Sequence, residues 1–589
     1  MTDSVLNVAI RKFLWPDYIV FFTVILVCLL IGMYFGFYKQ SKTSDDYLVG
    51  GRNMETFPVA MSLIASWVSG INLLGIPSEV YVYGIHYAMI IGAFLLMTIV
   101  MLYVYLPVFH NLNLTSTYEY HELRFDKRVR LFGSILFTIS SITWLPLVIY
   151  IPALALNQVT GINVHLITPI VCVTCIFYTS LGGLKAVVWA DVVQIALIYA
   201  AILLIAVKGT LDVGGFFLVV ERNVESGRIE LPDFDPNPFV RHTFWSLTFG
   251  GFTYILQAAG VNQNMVQRYL ALPTLTCAKN ALWMFFFGMV VIITTCSYLG
   301  LLIYASFHNC DPLTTMLARE KDQLLPVLVM TVLGKVPGLP GVCLAGNFSA
   351  ALSSLSTALN SMSAVVLEDF YKPFFQKELS KKQTDILMKC TVLIFGIICV
   401  ALVFVVEKLG AVLQLSISIG AITSGPSLGI FTMGMLIPHV NARGALYGGM
   451  TSLLFMAWFC LRTQTLIASG DLTFKTKPVT TEGCQYSFAS ANVTVVTPTT
   501  EEQLFMIYRL SYLWYTLLGT FITVFVGVLV SVVSGPLNPK DLDPKLLAPF
   551  MKKWIKSRKF SNEARGDELI YAFKLTTGQL EQNGVTESL

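Results

Sequence analysis

Along this chain long apolar runs alternate with short polar connections. The runs fall near residues 18–37, 57–84, 87–108, 131–156, 166–180, 192–207, 245–266, 282–307, 338–366, 390–406, 413–436, 445–461 and 512–533. Roughly 20 apolar residues in a helix cross the hydrocarbon of a bilayer. Only helices and closed barrels satisfy their backbone there, and runs of this length read as helices. The pattern predicts an all-α polytopic membrane protein of about thirteen transmembrane helices, residues 18–533, between an N-terminal segment 1–17 and a polar tail 534–589.

Two runs are interrupted. The second reads FPVAMSLIASWVSGINLLGIPSEVYVYG and carries Gly75-Ile76-Pro77 in its middle. Proline removes a backbone donor and clashes with the preceding turn, so a break is expected at residues 74–77, with Asn72 and Glu79 beside it. The plainer reading is a proline-kinked structural helix. The seventh run contains Gly250-Gly251, then Gln257 and Gly260-Val261-Asn262-Gln263-Asn264. Interrupted helices in corresponding positions, five spans apart, are the sequence mark of inverted repeats with a binding site near the midplane. The repeats would be residues 57–207 and 245–436. The ninth run sets Ser349, Ser353, Ser356, Thr357 and Asn360 at intervals of three and four, on one helix face. Hydroxyls in apolar helices often bond back to their own carbonyls, but five on one face suit a weakly bound hard cation. Asp191 opens the sixth run, as a solvated helix-start residue favoured by the dipole or as a group facing a cation.

Composition agrees with the pattern. Hydrophobic residues make up 55% and charged residues 13%, against about 25% charged in soluble chains. Lysine and arginine collect in alternate connections: Lys39, Lys42 and Arg52; Arg124 to Arg130; Lys185, Arg268 and Lys279; Lys372 to Lys389; Arg443; and the tail. That side is expected to be cytoplasmic, with the N-terminus outside. The opposite loops include 211–242 and 462–509, the latter with a glycosylation sequon at Asn492. Cys310 and Cys484 both fall on that outer side, where a disulfide can form, although sequence does not decide the pairing. Cys172 and Cys175 form a C-x-x-C without companion ligands and read as packing. The seven histidines show no ligand spacing, and no nucleophile–base pair stands out, so an enzyme is not expected. The basic segment KLLAPFMKKWIKSRKF suits an anionic lipid surface. The terminal Thr586-Glu587-Ser588-Leu589 is a weak match to carboxylate capture by a PDZ-type domain.

Several stretches together resemble the sodium/solute symporter family: SDDYLVGGRNM at 44–54, SLIASWVSGINLLGIPSEVYVYG at 62–84, TSLGGLKAVVWADVVQ at 179–194, GVNQNMVQRYL at 260–270 and FSAALSSLSTALNSMSAVVLEDFY at 348–371. The PSEVYVYG and VNQ-x-x-VQRYL forms are most similar to the branch holding monocarboxylate, multivitamin and iodide transporters. The resemblance implies a leucine-transporter-like five-plus-five core and cotransported sodium. It implies one sodium on the backbone carbonyls of Ala65, Val68 and Ala350 and the hydroxyls of Ser353 and Ser354. It implies a second, found in some members, on Ser356, Thr357 and Asp191. Sugar-carrying members have an aromatic pair where this chain has Ala258 and Ala259, and a histidine where it has Asn72, which argues against a sugar.

The expected function is sodium-driven import of a small organic anion, a monocarboxylate or an anionic vitamin such as biotin or pantothenate, across the plasma membrane. The alternatives are iodide or another inorganic anion, and a non-transporting sodium or nutrient sensor. The core spans show no buried basic residue in the sequence, so the anion is expected to bind without an arginine or lysine clamp, between the second, seventh and eleventh runs. Ser69, Asn72, Tyr254, Gln257 and Gln414 are the expected side-chain contacts, with the unwound backbone at 74–77 and the positive end of a half-helix.

Overall fold

Every regular element among the described residues is helical. The structure, a computed structural model, describes residues 13–39, 43–334, 336–375, 379–406, 412–484 and 506–553; of Gln158, residues 412–415 and Lys553 it describes the backbone alone. The principal helices are α1 (Trp15–Met33), α2 (Thr56–Trp67), α3 (Gly70–Tyr83), α4 (Ile90–Val100), α5 (Lys127–Thr160) and α6 (Val164–Val213). Then come α7 (Gly251–Leu256), α8 (Gln263–Tyr269), α9 (Leu275–Ser306), α10 (Leu324–Leu333) and α11 (Leu339–Val365). α12 (Lys381–Val406), α13 (Val412–Leu436), α14 (Ala442–Ala468) and α15 (Tyr515–Val533) complete the set. One continuous apolar core runs from Phe13, just before the first helix, to Ala548. The outer faces of the bundle stay apolar. On α15 the exposed Phe521, Phe525, Leu529 and Val533 recur every four residues, a stripe that meets lipid rather than water.

Among the described residues ten helices are long and apolar enough to cross a membrane, or eleven when the bent pair α2–α3 counts as one span. The sequence pattern predicts about thirteen, and two features separate the figures. First, α6 is fifty residues long, about 75 Å at 1.5 Å per residue, more than twice the hydrocarbon thickness. Its two halves travel in opposite senses. His165 stacks on Phe404 and Ile176 meets Gly396, so the first half runs toward the start of α12. Asp191 and Thr357 share the Arg268 guanidinium and Ala201 meets Gly346, so the second half runs back from the end of α11 toward its start. The turn between them is Gly183, with φ 56° and ψ −153°. A side chain is excluded there, because a Cβ would lie 2.7 Å from the Tyr47 carbonyl oxygen. Second, the seventh run is not one regular helix. A π-helical turn at Ser246–Gly250 leads into α7, and another at Gln257–Val261 leads out of it. Asn262 is then extended, with φ −72° and ψ 133°, before α8 begins. The interruption expected around Gly260–Asn264 is therefore present.

The second run is broken, but not at residues 74–77. Val68 (φ −76°, ψ 91°) and Ser69 (φ −90°, ψ 167°) are the non-helical residues, and α2 and α3 meet there at 58°. Pro77 lies inside α3. It withdraws one donor from the Leu73 carbonyl, a loss that lipid-embedded helices tolerate when neighbours supply hydrogen bonds; next door Ser78 Oγ donates to the Leu74 carbonyl at 2.8 Å. The break falls instead at Trp-Val-Ser-Gly, where a β-branched residue, a serine and a glycine all weaken the helix. Gly70 is required by close approach: a Cβ would sit 2.7 Å from Cγ of Pro152 on α5.

Glu79 also departs from expectation. It lies toward the far end of α3, away from the break, and accepts from Arg241 Nε at 2.8 Å and Nη2 at 2.5 Å. The guanidinium faces the rings of Tyr83 and Tyr512 at 4.2 and 4.8 Å, and His242 Nε2 is 3.2 Å from the same carboxylate. Burial pushes the His242 imidazole below its ordinary pKa, against the pull of Glu79. This cluster ties α3 to the connection before α7 and to the start of α15. Nearby, Cys310 and Cys484 form a disulfide that bridges 174 residues. Closing so long a loop stabilises a fold by about 2–4 kcal/mol. Replacing Cys310, Cys484 or both with serine is expected to lower the unfolding temperature of the purified protein equally in all three cases. Additive losses in the double variant would mean that the two sulfurs act separately.

Candidate functional site

The break in the second run creates the site because it strands backbone groups. The Ser69 N–H turns to the Trp67 carbonyl (3.0 Å), and the Asn72 N–H goes to the Ser69 carbonyl (3.0 Å). The carbonyls of Ala65 and Val68 are thus left without the donors that a continuous helix would supply. They sit at the negative end of α2, while the first N–H groups of α3 form a positive end a few residues away. Asn72 Nδ2 donates to the Trp67 carbonyl at 2.9 Å, which braces the bend.

α11 approaches this bend with its hydroxyl face. Ser354 Oγ donates to the Ser66 carbonyl at 3.2 Å, and Thr357 Oγ1 lies 2.8 Å from Ser66 Oγ. Ala65, Val68, Ala350 and Ser353 are all fully buried here. Ser353 Oγ lies beside the Asp191 carboxylate without a well-formed hydrogen bond to it. Of the second expected set, Asp191 and Thr357 are brought together, whereas Ser356 is not. Its hydroxyl donates to the Ser353 carbonyl of its own helix at 3.0 Å and neighbours Tyr178.

Asp191 is no solvated helix start. It lies within the second half of α6 with no exposed surface, and its partner is Arg268 on α8, itself 1% exposed. Arg268 Nη2 donates to Asp191 Oδ2 at 3.2 Å and to Thr357 Oγ1 at 2.5 Å; Nε donates to Ser62 Oγ at 2.6 Å. Ser62 Oγ donates in turn to the same Asp191 oxygen at 2.5 Å. Arg268 is therefore not a residue of a basic connection, and the core does contain a buried cation. A lone carboxylate in an apolar run needs a countercharge, and that need was the signal in the sequence: the nearest basic residue after the interrupted seventh run supplies it.

Above this network lies a cavity of about 130 Å³. Ser69, Asn72, Tyr254 and Gln257 line it, as do Ser354 and Thr357. Gln414 is in α13, and its side chain lies outside the described residues, as do Asn492 and the terminal residues 586–589. Sequence reasoning missed part of the wall. Ser140, Ser141 and Trp144 come from α5, Ser416 and Ser424 from α13, and Trp67 from the bend itself. Ser416, Gly420 and Ser424 are spaced by four on one helix face. A Cβ at Gly420 would meet nothing within 4 Å. Ala258 lines the cavity, and the rings of Trp67, Phe94 and Tyr254 give it apolar walls. Among the described residues, no Asp, Glu, Lys, Arg or His lines it. The arrangement can hold a small solute by hydroxyl, amide and backbone groups, beside stranded oxygens suited to a monovalent cation.

Comparison with known proteins shows the family to which the chain belongs. The model of the Sodium:solute symporter family matches residues 47–452. The sodium-coupled monocarboxylate transporter 1 of Xenopus laevis is 38% identical over 536 residues, covering 89% of this chain and 86% of its own length. The sodium-dependent multivitamin transporter of Oryctolagus cuniculus is 34% identical over 603 residues, covering 99% and 94%. A substrate-bound, outward-open Na+-coupled sialic acid symporter superposes with a TM-score of 0.74 at 24% identity, over 90% of this chain and all of that one. The chain belongs to the sodium:solute symporter family. It is a multi-pass membrane protein and a sodium-coupled symporter.

Asn72 serves the cavity and braces the bend. Asn72→Ala is expected to raise the half-saturating substrate concentration about tenfold, the loss of one good hydrogen bond, with a smaller effect on sodium. Equal shifts for both would show that the residue acts only on the bend.

Proposed function

We propose that this symporter imports a small organic anion, a monocarboxylate or an anionic vitamin, with sodium across the plasma membrane. The observation that carries this reading is the cavity's chemistry: hydroxyls, amides and aromatic walls without a fixed charge. Sugar-carrying members of the family have an aromatic pair where this chain has Ala258 and Ala259, and that loss argues against a sugar. A carboxylate without an arginine clamp can be met by the N–H groups at the start of α3, by Ser69 and Asn72, and by sodium itself. The apolar wall then takes a short chain or ring. The relatives named for monocarboxylate and multivitamin transport support the same substrate class.

The first sodium is assigned to the carbonyls of Ala65, Val68 and Ala350 and the hydroxyls of Ser353 and Ser354. Its support is the pair of stranded carbonyls at the end of α2, with Ser354 already against that end. A second sodium is assigned to Asp191 and Thr357, with Ser356 reorienting to join them. Two sodium ions per monovalent anion carry one net positive charge inward, worth about 2.3 kcal/mol per 100 mV. The basic connections face the cytoplasm in this reading, and the Cys310–Cys484 disulfide and Asn492 face outside. The two interrupted helices, α2–α3 and α7–α8, are corresponding elements of an inverted repeat.

Tracer uptake of lactate, butyrate, biotin, pantothenate, iodide and glucose, with and without sodium, tests the reading. Sodium-driven uptake of a carboxylate, blocked by other carboxylates, is expected. In the same assay Ser353→Ala is expected to raise the half-saturating sodium concentration about tenfold. Uptake of glucose or iodide with no carboxylate competition contradicts the substrate class, and unchanged sodium activation in a well-expressed Ser353→Ala contradicts the first sodium site.

A further inference from the structure

We propose that Arg268 is a tethered cation that competes with cotransported sodium for Asp191, and that sodium entry there detaches α8 from the base of the cavity. The proposal rests on the assignment of a sodium to Asp191 made above.

The guanidinium occupies the place of an ion. Nη1 donates to the Asn264 carbonyl of its own helix at 2.8 Å; its other acceptors are a carboxylate oxygen and two hydroxyl oxygens, Asp191 Oδ2, Thr357 Oγ1 and Ser62 Oγ. These are the hard oxygens that a monovalent metal ion prefers. Asp191 and Arg268 cancel each other's charge in a site that is fully buried. A sodium added beside the intact pair would leave two cations on one carboxylate with no water to screen them, which burial makes unfavourable. Sodium and the guanidinium therefore exclude one another.

A second, independent observation shows where sodium would first bind. Asp191 Oδ1 and Ser353 Oγ are both buried and lie beside one another, without a well-formed hydrogen bond between them or to any other group. Orphaned buried oxygens are unfavourable, and a cation between them satisfies both. The guanidinium reaches only the other carboxylate oxygen. Sodium entering at Oδ1 and Ser353 weakens the hold on Oδ2, and departure of the guanidinium then frees Thr357 and Ser62 to complete the ion's shell.

Detachment has a mechanical consequence. The guanidinium carries the hydrogen bonds described from α8 to α2, α6 and α11 through Ser62, Asp191 and Thr357. α8 follows the extended residue Asn262, whose neighbour Asn264 lines the cavity. Exchange of arginine for sodium thus couples ion binding to the half-helix beneath the substrate. Arg268 is a positioning residue in this account, since it touches neither substrate nor ion.

The test is sodium activation of tracer uptake in wild type, Arg268→Lys, Arg268→Gln, Asp191→Asn and the double variant Asp191→Asn with Arg268→Gln. Arg268→Gln is expected to lower the half-saturating sodium concentration about tenfold, with Arg268→Lys in between, because the charged competitor is removed or shortened. On the Asp191→Asn background the Gln substitution is expected to change sodium activation by less than about twofold, since the object of competition has gone. Unchanged or raised half-saturating sodium in Arg268→Gln at normal surface abundance overturns the proposal while leaving sodium coupling intact. Wild-type uptake that ignores sodium overturns instead the reading on which the proposal rests. If Arg268→Gln does not reach the surface, thiol labelling of purified Asn264→Cys in sodium and in choline decides. Faster labelling in sodium is expected, and labelling indifferent to sodium overturns the proposal.

Discussion

A backbone N–H or C=O in hydrocarbon must find a partner inside the protein, and each failure costs several kcal/mol. The two-residue break at Val68–Ser69 violates that rule in the middle of a span. The rest of the site follows from how the fold contains it. The stranded groups cannot face lipid, so the break must be enclosed. α5 closes on it through Pro152 against Gly70, and α11 closes on it with a face of hydroxyls rather than leucines. Stranded carbonyls on one side and hydroxyls on the other make an oxygen-lined place for a cation. Stranded N–H groups a few residues on make a place for an anion. In the proposed reading ion and solute meet because one broken helix presents both ends of itself.

The charged pair below the cavity obeys the same constraint at higher stakes. Arg268 and Asp191 are affordable in the core only together, and each hydroxyl around them is already used by the pair. Among the described groups around the pair, Asp191 Oδ1 and Ser353 Oγ are left without well-formed hydrogen bonds; the resemblance to the family gives Ser353 to one implied sodium and Asp191 to the other. A site that is neutral but incompletely satisfied is able to exchange one cation for another. A fully satisfied one would be a structural ion pair.

Most of the architecture was legible because lipid imposes simple arithmetic. Apolar run length and the interruption of the seventh run both reappear in the helices, and the family resemblance is matched by the family model. The place of the break in the second run was not legible from its proline. The proline rule comes from helices in water, and a helix enclosed by protein tolerates the lost donor. Breaks here were set by Ser-Gly sequence and by a neighbour's ring. Arg268 was misread for a related reason. Basic residues at span ends usually snorkel to the interface, and nothing local distinguishes one that turns inward to a carboxylate 77 residues away in sequence. Ser69, Asn72, Tyr254 and Gln257 were found by proximity to an interruption, whereas Ser140, Ser141 and Ser416 lie on helices with no interruption nearby.

In the proposed reading solute and sodium share the cavity bounded by the two interrupted helices. Ala258 lines it and tolerates a small side chain, so Ala258→Cys, labelled with a membrane-impermeant thiol reagent against a wild-type background, reads occupancy directly. Labelling is expected to fall when butyrate and sodium are present together and to be affected little by butyrate in choline. Labelling that butyrate and sodium leave unchanged, in a variant that still transports, would place the solute elsewhere and contradict the account.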